Sequence, residues 1–280
     1  MEYFIFNGKL HNGESVAISP NNRGIRYGDG LFETMKSEKR QVQFLDDHFA
    51  RLWQGMQVLQ FNIPKHFTPD KLEYDIFNLL EKNGHSKSTR VRLTVFRGDG
   101  GLYDVANHKV NYIIQTWALP EENGAFNTNG LVLGIYSDVK KQFDILSNLK
   151  HNNFLLYALA ALHAKKNKWN DAVLLNTQLG ICDTTIANIF VVKGEEIVTP
   201  ALEEACIAGV MRKNVINELA ALNQRVIERK LHVEEMLNAD EVFLTNSIHN
   251  IRWVQRIGEK SYSNKQTKQI YSKLFQTISS

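Results

Sequence analysis

Lys150 is the residue whose type and position most directly suggest covalent chemistry. It stands immediately before an apolar run that predicts a helix over 152–166. The positive end of the helix dipole and the apolar surroundings both favour a neutral amine there. A neutral lysine amine is the form that attacks a carbonyl compound to give a Schiff base. A solvated loop lysine is the alternative interpretation of the same position.

Three further segments could bind an anion such as phosphate. Ala208-Gly209-Val210-Met211-Arg212 opens a predicted helix, and the first-turn N–H groups of a helix have no intrahelical partner. Thr245-Asn246-Ser247 offers a hydroxyl and loop amides after a predicted strand. Arg51 flanks the apolar stripe of another helix and carries a guanidinium fork suited to phosphate. Each also has a purely structural interpretation. The segment 208–212 could be an ordinary loop that begins with a glycine, the segment 245–247 a turn, and Arg51 an arginine that lies along an apolar face.

Asp183 lies in a short connection between two predicted strands. It is either a turn residue or a buried anion that needs a cationic partner, such as a protonated ring nitrogen. The common catalytic signatures are absent from the sequence: there is no Gly-x-x-x-x-Gly-Lys, His-Glu-x-x-His, Gly-x-Ser-x-Gly or Cys-x-x-Cys. The glycines of Arg97-Gly98-Asp99-Gly100-Gly101 have the wrong spacing for a dinucleotide fingerprint. Metal catalysis therefore has little support.

Hydrophobic spacing and turn signals predict the elements that position these residues. Asn7-Gly8 predicts a hairpin turn, and the helix over 152–166 is apolar nearly all round, so most of it should be buried. The predicted strands are 3–6, 31–36, 41–45, 91–96, 110–116, 131–136, 172–175, 188–193 and 241–245. The predicted helices begin at an Asp46 or Asp47 cap and at Pro69 after Thr68, and cover 152–166, 209–221 and 265–278.

The stretch 119–130 is rich in turn formers and is the best candidate for a linker. The chain is therefore expected to form two α/β or α+β domains, an N-terminal one over 1–118 and a C-terminal one over 131–280.

Composition excludes several classes of protein. The 280 residues are 43% hydrophobic and 22% charged, which is typical of a globular protein rather than a disordered one. A net charge of +3 gives no support for nucleic-acid binding. Cys182 and Cys206 are too few for a disulfide framework or a four-thiolate zinc site. With no visible signal peptide and no apolar run long enough to span a membrane, we expect a soluble, cytoplasmic protein.

Taken together, these segments resemble the class IV aminotransferases, which use pyridoxal phosphate on the fold type IV scaffold. That family includes branched-chain and D-amino acid aminotransferases and aminodeoxychorismate lyase. The resemblance extends from residue 23 to about residue 254, in family order. The matching segments are Arg23 to Thr34, Leu45 to Leu52, Lys150-His151-Asn152-Asn153, Gly180 to Phe190, Gly209-Val210-Met211-Arg212 and Phe243 to Ser247.

The resemblance implies a role for each candidate residue. Lys150 would form the Schiff base with the cofactor and move the α-proton of the substrate. Asp183 falls where the family carries a glutamate on the pyridine nitrogen, so the shorter side chain needs a closer backbone or a bridging water. The residues implied for cofactor binding are Arg51, Lys150, Asp183, Gly209, Val210, Met211 and Ser247.

The resemblance implies a substrate pocket that includes Phe32 and Arg97. Arg97 either binds a carboxylate of the substrate or only supplies hydrogen bonds to the loop 98–104. The resemblance implies a homodimer whose C-terminal domain binds the cofactor. The expected reaction is transfer of an amino group between an amino acid and a 2-oxo acid. The alternatives are aminodeoxychorismate lyase, which forms 4-aminobenzoate and pyruvate, and a non-catalytic protein that binds the cofactor.

Overall fold

The computed structural model describes residues 2–13, 17–100 and 108–276. By its contacts the chain divides into two compact units. The first unit is Met1–Asn123 with Leu149–Asn153, and the second is Gly124–Asn148 with Phe154–Ser280. The five residues around Lys150 thus belong to the first unit, although both of their chain neighbours belong to the second. The limits 1–118, 119–130 and 131–280 remain a prediction.

The first unit is a six-stranded antiparallel sheet with two long helices and one short helix. Its strand order is β2-β1-β6-β5-β3-β4. The strands are β1 Tyr3–Phe6, β2 Lys9–Asn12, β3 Gly30–Glu38, β4 Gln41–Val42, β5 Thr89–Arg97 and β6 Val110–Ala118. The helices are α1 Arg23–Tyr27, α2 Leu45–Val58 and α3 Pro69–Lys82. Alternate residues of β3, including Leu31 and Met35, share one buried core with the apolar faces of α2 and α3.

Local signals in this unit had mixed success. Asn7 and Gly8 both have positive φ, 50° and 78°, as a type I′ hairpin turn requires. The Thr68 cap is confirmed, because its side chain accepts a hydrogen bond from the N–H of Lys71. The predicted aspartate cap of α2 is wrong. That helix begins at Leu45, after Phe44 in a left-handed conformation, with no side-chain cap, and the predicted strand 41–45 ends at Val42.

The second unit contains a nine-stranded mixed sheet. The order is β12-β11-β10-β13-β14-β7-β8-β9, with β15 paired to β14. The strands are β7 Leu131–Lys141, β8 Asp171–Asn176, β9 Ile181–Thr184, β10 Asn188–Lys193, β11 Glu196–Pro200, β12 Val226–Arg229, β13 Glu241–Asn246, β14 Asn250–Ile257 and β15 Lys260–Ser261. The helices are α4 Leu155–Lys166, α5 Val210–Ala221, α6 Val233–Leu237 and α7 Lys265–Tyr271, with a 3-10 turn at Leu202–Glu204 and a π-helical turn at Ser272–Gln276. The mixed α/β fold with two sheets agrees with the expected fold class.

Two helices of this unit differ from their predictions. Helix α4 begins at Leu155 rather than at residue 152, and it is not buried on all sides. Leu155, Leu159 and Leu162 are 71%, 47% and 65% exposed. The helix predicted over 265–278 ends at Tyr271 and continues as the π-helical turn, while residues 277–278 lie outside the described part of the chain. None of the helices within the described residues is long and apolar enough to cross a membrane.

Candidate active site

Lys150 is held by backbone pairing to the edge of β3. The N–H of Phe32 donates to the carbonyl of Lys150 at 2.9 Å, and the N–H of Asn152 donates to the carbonyl of Gly30 at 2.8 Å. Glycine is needed at position 30, because a Cβ there would lie 2.3 Å from the carbonyl oxygen of Val95 and 2.4 Å from Asn152 Nδ2. Lys150 is therefore positioned by the sheet. Helix α4 begins five residues later, whereas the dipole effect is confined to the first turn.

On one face of β3, the Phe32 ring is contacted by two basic side chains. Lys150 Nζ is 4.5 Å from the ring centroid, and Arg92 Cζ is 4.1 Å from it. Phe32 is 6% exposed, and Arg92 Nε donates to Thr94 Oγ1 at 3.3 Å. Burial, together with the charge of Arg90, lowers the pKa of the Arg92 guanidinium. No acidic side chain within the described residues forms an ion pair with Arg92.

On the opposite face of β3, a buried ionic cluster joins the strand to α2. Glu33 is 1% exposed, accepts from Arg51 through Nε at 2.9 Å and through Nη2, and accepts from His48 Nδ1 at 2.7 Å. Burial raises the pKa of the Glu33 carboxyl, but Arg51 and His48 outweigh it and hold that pKa at about 2. Burial lowers the pKa of His48, and the charges of Arg51 and Lys150 lower it further, whereas the hydrogen bond and the charge of Glu33 raise it. The carboxylate therefore orients Arg51.

Arg97, expected in the substrate pocket, has partners of its own within the first unit. Its Nη2 donates to the carbonyl of Leu59, its Nε lies 3.6 Å from Asp29, and its guanidinium lies 4.6 Å from the Phe61 ring centroid. It is 7% exposed, and burial lowers its pKa. The substrate role of Arg97 stays a prediction, whereas Arg92 is the arginine whose guanidinium lies on the Phe32 ring beside Lys150.

In the second unit, Asp183 is a buried carboxylate with one occupied and one unoccupied oxygen. Its Oδ2 accepts from Lys141 Nζ at 3.0 Å, Tyr157 OH at 3.1 Å and the N–H of Ile207 at 2.9 Å. Its Oδ1 is buried, with no hydrogen-bond partner within the described residues. Asp183 is 2% exposed and lies within strand β9 rather than in the predicted connection, so the turn interpretation is wrong.

The start of α5 and the end of β13 form a second polar group in the same unit. Gly209 is the N-cap of α5 without a side-chain cap, which leaves the first-turn N–H groups of Val210 and Met211 without a helical acceptor. A Cβ at Gly209 would lie 1.9 Å from Asn188 Oδ1. Asn188 pairs across the sheet with Thr245, whose Oγ1 is buried and has no partner within the described residues.

Ser247 lies in the turn that follows Thr245. The side chain of Asn246 shapes this turn, because its Oδ1 accepts from the N–H groups of Ile248 and His249 at 3.0 and 2.8 Å. Ser247 is half-buried. The turn therefore has a defined backbone, as an amide-lined anion site requires.

The two cysteines and the metal-ligating residue types add no further chemistry. Cys182 and Cys206 are free and fully buried, and burial raises the pKa of both thiols, that of Cys206 to about 12. A thiol held protonated in this way is a poor nucleophile. Over residues 2–13, 17–100 and 108–276, no cluster of three or more His, Cys, Asp or Glu could hold a metal ion.

The structure thus places the Lys150 amine against Phe32 on one face of β3 and Arg51 on the opposite face, with Arg97 in the same unit. Asp183, Gly209 to Met211 and Ser247 lie in the second unit. Sequence reasoning missed several partners of these residues. They are Glu33, His48, Arg92, Lys141, Tyr157 and Thr245. Glu33 carried a signal: it shares the inward face of β3 with Leu31, where an acid needs cationic partners. No local signal marked Lys141, which follows another lysine in the chain.

We expect Glu33→Gln to destabilise the fold by about 3–5 kcal/mol at neutral pH, because Arg51 would lose its buried countercharge. The Glu33 pKa is about 2, below its ordinary 4.5. Its ionised form therefore stabilises the fold above pH 4.5, and that contribution is lost as the pH falls toward 2. Urea unfolding across this range should show the difference between variant and wild type shrinking. Glu121 forms an exposed ion pair with Lys87, so the control variant Glu121→Gln should leave the free energy of unfolding nearly unchanged. An equal loss of stability in the two variants would contradict the prediction.

Comparison with known proteins identifies the family. The family model described as amino-transferase class IV matches residues 30–257. An aminodeoxychorismate lyase of Vibrio harveyi is 30% identical over 84% of this chain and 86% of its own length. A putative branched-chain-amino-acid aminotransferase of Methanocaldococcus jannaschii is 27% identical over 96% of this chain and 92% of its own.

Solved structures show the same fold. A branched-chain amino acid aminotransferase from T.th., solved with pyridoxamine 5′-phosphate, superposes with a TM-score of 0.88 at 20% identity, covering 99% of this chain and 94% of that one. The chain therefore belongs to the class IV aminotransferase family, and it is a pyridoxal-phosphate-dependent enzyme of fold type IV.

Proposed function

We propose that this enzyme transfers an amino group between an amino acid and a 2-oxo acid, with Lys150 as the residue that binds the cofactor covalently. The observation that carries the proposal is the placement of Lys150: the backbone of β3 holds it, and its Nζ lies against the Phe32 ring beside Arg92. A lysine held in this way is pre-organised for nucleophilic chemistry.

The residues of the second unit suit the cofactor. A buried carboxylate oxygen without a donor is costly, so Asp183 Oδ1 is fit to accept a hydrogen bond from a protonated pyridine nitrogen. The first-turn amides of Val210 and Met211, with the Ser247 turn, suit the phosphate, and the Thr245 hydroxyl is an additional donor. In the first unit, Arg51 would bind the phosphate while Glu33 orients its guanidinium.

When bound, pyridoxal 5′-phosphate supplies an electron sink for the bond broken at the substrate α-carbon. The chain's own residues do the rest. Lys150 Nζ takes the α-proton of the substrate and returns a proton during the transfer. Asp183 keeps the proton of the ring nitrogen in place, and Phe32, which is almost fully buried, excludes water from one side of the Lys150 amine.

The substrate is proposed to bear a carboxylate that binds Arg92. Its guanidinium lies on the Phe32 ring within reach of the lysine side chain and has no ion-pair partner within the described residues. An arginine fork binds a carboxylate through two hydrogen bonds. Aminodeoxychorismate lyase activity is the second candidate, supported by the 30% identity to the Vibrio harveyi lyase over most of both chains.

We expect borohydride treatment of the cofactor-loaded enzyme to abolish its visible absorption band and to attach the cofactor to Lys150, as located by peptide mass spectrometry. Lys150→Ala should bind no cofactor covalently and should lose catalysis, while its unfolding midpoint stays close to that of wild type. Lys166→Ala, on the exposed end of α4, is the control and should behave like wild type. An adduct on another lysine would refute the central assignment.

Product analysis separates the two reactions. We expect amino-group exchange that requires an added 2-oxo acid, and a rise in KM of roughly tenfold or more in Arg92→Gln, the scale of losing a charged hydrogen bond. Arg90→Gln is the matched control on the same strand. Pyruvate released from aminodeoxychorismate without an added 2-oxo acid would assign the lyase reaction instead.

A homodimer is proposed from an exposed apolar stripe on α4. Leu155, Leu159 and Leu162 recur at spacings of four and three residues, which places them on one helix face, and a contiguous exposed apolar face marks an interface. A second copy of the chain is the occupant that the family resemblance implies. A cytoplasmic location stays a prediction.

Light scattering should give about twice the 32.1 kDa mass of one chain. Leu159→Lys combined with Leu162→Lys should lower that mass toward the monomer, because two charges would have to be buried at the interface. Leu222→Lys, at the 48% exposed end of α5, is the control. A monomeric wild type at micromolar concentration would contradict the proposal.

A further inference from the structure

Lys141 is an almost fully buried lysine that sequence analysis did not single out. It ends β7, is 7% exposed, and lies 3.0 Å from Asp183 Oδ2, while its neighbour Lys140 is partly exposed. Tyr157 on α4 is 7% exposed and hydrogen-bonds both Lys141 Nζ and Asp183 Oδ2. Two buried polar side chains from separate elements, Lys141 on β7 and Tyr157 on α4, therefore converge on one oxygen of Asp183.

Stability alone does not explain this cluster. Removing two charges from water costs several kcal/mol per ion. A protein in which apolar side chains of similar volume replace a buried ion pair is often as stable as the original, or more stable. In a fully buried carboxylate both oxygens are expected to have hydrogen-bond partners. Here Lys141, Tyr157 and the N–H of Ile207 all bind Oδ2, and Oδ1 is buried with no partner within the described residues. The arrangement leaves Oδ1 available to a hydrogen-bond donor from a ligand.

We infer that Lys141 and Tyr157 are positioning residues that hold Asp183 by one oxygen, direct the other to the cofactor's ring nitrogen, and keep the carboxylate ionised. The inference rests on the proposed role of Asp183. It also explains how an aspartate can serve at a position where the resemblance implies a glutamate: the donors on Oδ2 anchor the shorter side chain.

The charge of Lys141 decides where a shared proton resides. A proton between the ring nitrogen and Oδ1 can lie on the nitrogen, leaving a carboxylate, or on the carboxyl, leaving a neutral ring. Lys141 contacts the oxygen on the other side, so it stabilises the carboxylate more than it opposes the protonated nitrogen. The proton therefore stays on the ring, where it is needed for the electron sink.

The other titratable groups facing Asp183 do not supply this charge. Burial and the Asp183 charge raise the pKa of Tyr157 well above its ordinary value, so the phenol remains a neutral donor. Burial likewise raises the pKa of Cys182 and Cys206, so both thiols stay neutral. Among the described residues, Lys141 is the cation that pairs with Asp183.

The test is nitrogen-15 NMR of the holoenzyme loaded with pyridoxal 5′-phosphate labelled at the ring nitrogen, followed over pH. In Lys141→Met, the ratio of ring-protonated to ring-neutral cofactor at neutral pH, read from the nitrogen-15 chemical shift, should fall by about tenfold or more, because loss of the cation beside Oδ2 favours the shared proton on the carboxyl over the ring. Tyr157→Phe should lower this ratio less. Lys141→Arg should restore the wild-type ratio, and Lys140→Met, the same substitution one residue away, should not change it.

A merely structural role would lower the unfolding temperature of the Lys141 variant and leave the ratio of ring-protonated to ring-neutral cofactor unchanged, and that result would overturn the inference. If Lys141→Met retains no cofactor, a wild-type ratio in Tyr157→Phe overturns it equally. Asp183→Asn separates this inference from the proposed function. A lower ratio in Asp183→Asn with a wild-type ratio in Lys141→Met overturns only the inference, whereas a wild-type ratio in Asp183→Asn overturns the role of Asp183 itself.

Discussion

A carboxylate taken out of water must be matched by cations and hydrogen-bond donors, and this constraint organises the candidate residues of each unit. Glu33 is 1% exposed and Asp183 is 2% exposed. An unmatched charge at either position would cost several kcal/mol, a large part of the stability of an ordinary domain. The elements around each acid are therefore committed to supplying partners. Helix α2 supplies His48 and Arg51 to Glu33, and strand β7 with helix α4 supplies Lys141 and Tyr157 to Asp183.

The two acids differ in how many of their carboxylate oxygens receive hydrogen-bond donors, and this difference distinguishes a structural carboxylate from one that is proposed to bind the cofactor. Both oxygens of Glu33 receive donors, and its pKa is held at about 2, so it is a permanent anion that fixes Arg51. Asp183 receives three donors on one oxygen and none from the described residues on the other. An unsatisfied buried acceptor is costly to the fold, and this cost supports the proposed contact between Asp183 and the cofactor.

The success of sequence reasoning follows the range of the interactions. Signals carried by neighbouring residues worked, as with the Asn7-Gly8 turn, the Thr68 cap and the Gly209 helix start. Lys150 was singled out because a helix dipole was expected beside it, but α4 begins at Leu155, too far away for that effect. What positions Lys150 is pairing to Phe32, more than 100 residues earlier, and what positions Asp183 is Lys141, 42 residues away. Such contacts leave no local pattern in a single sequence.

The pairing of residues 150–152 with β3 then links the chemistry of the lysine to the substrate. Because side chains alternate along a strand, Phe32 and Glu33 point to opposite faces, and the register of Lys150 on β3 decides which of the two its side chain meets. A slip of one residue would place it opposite the other face, against the Glu33 cluster instead of the Phe32 ring. The bond from the Phe32 amide to the Lys150 carbonyl therefore does more than close a sheet edge. It selects the face on which Arg92 lies, and with it the surroundings in which the Lys150 amine acts.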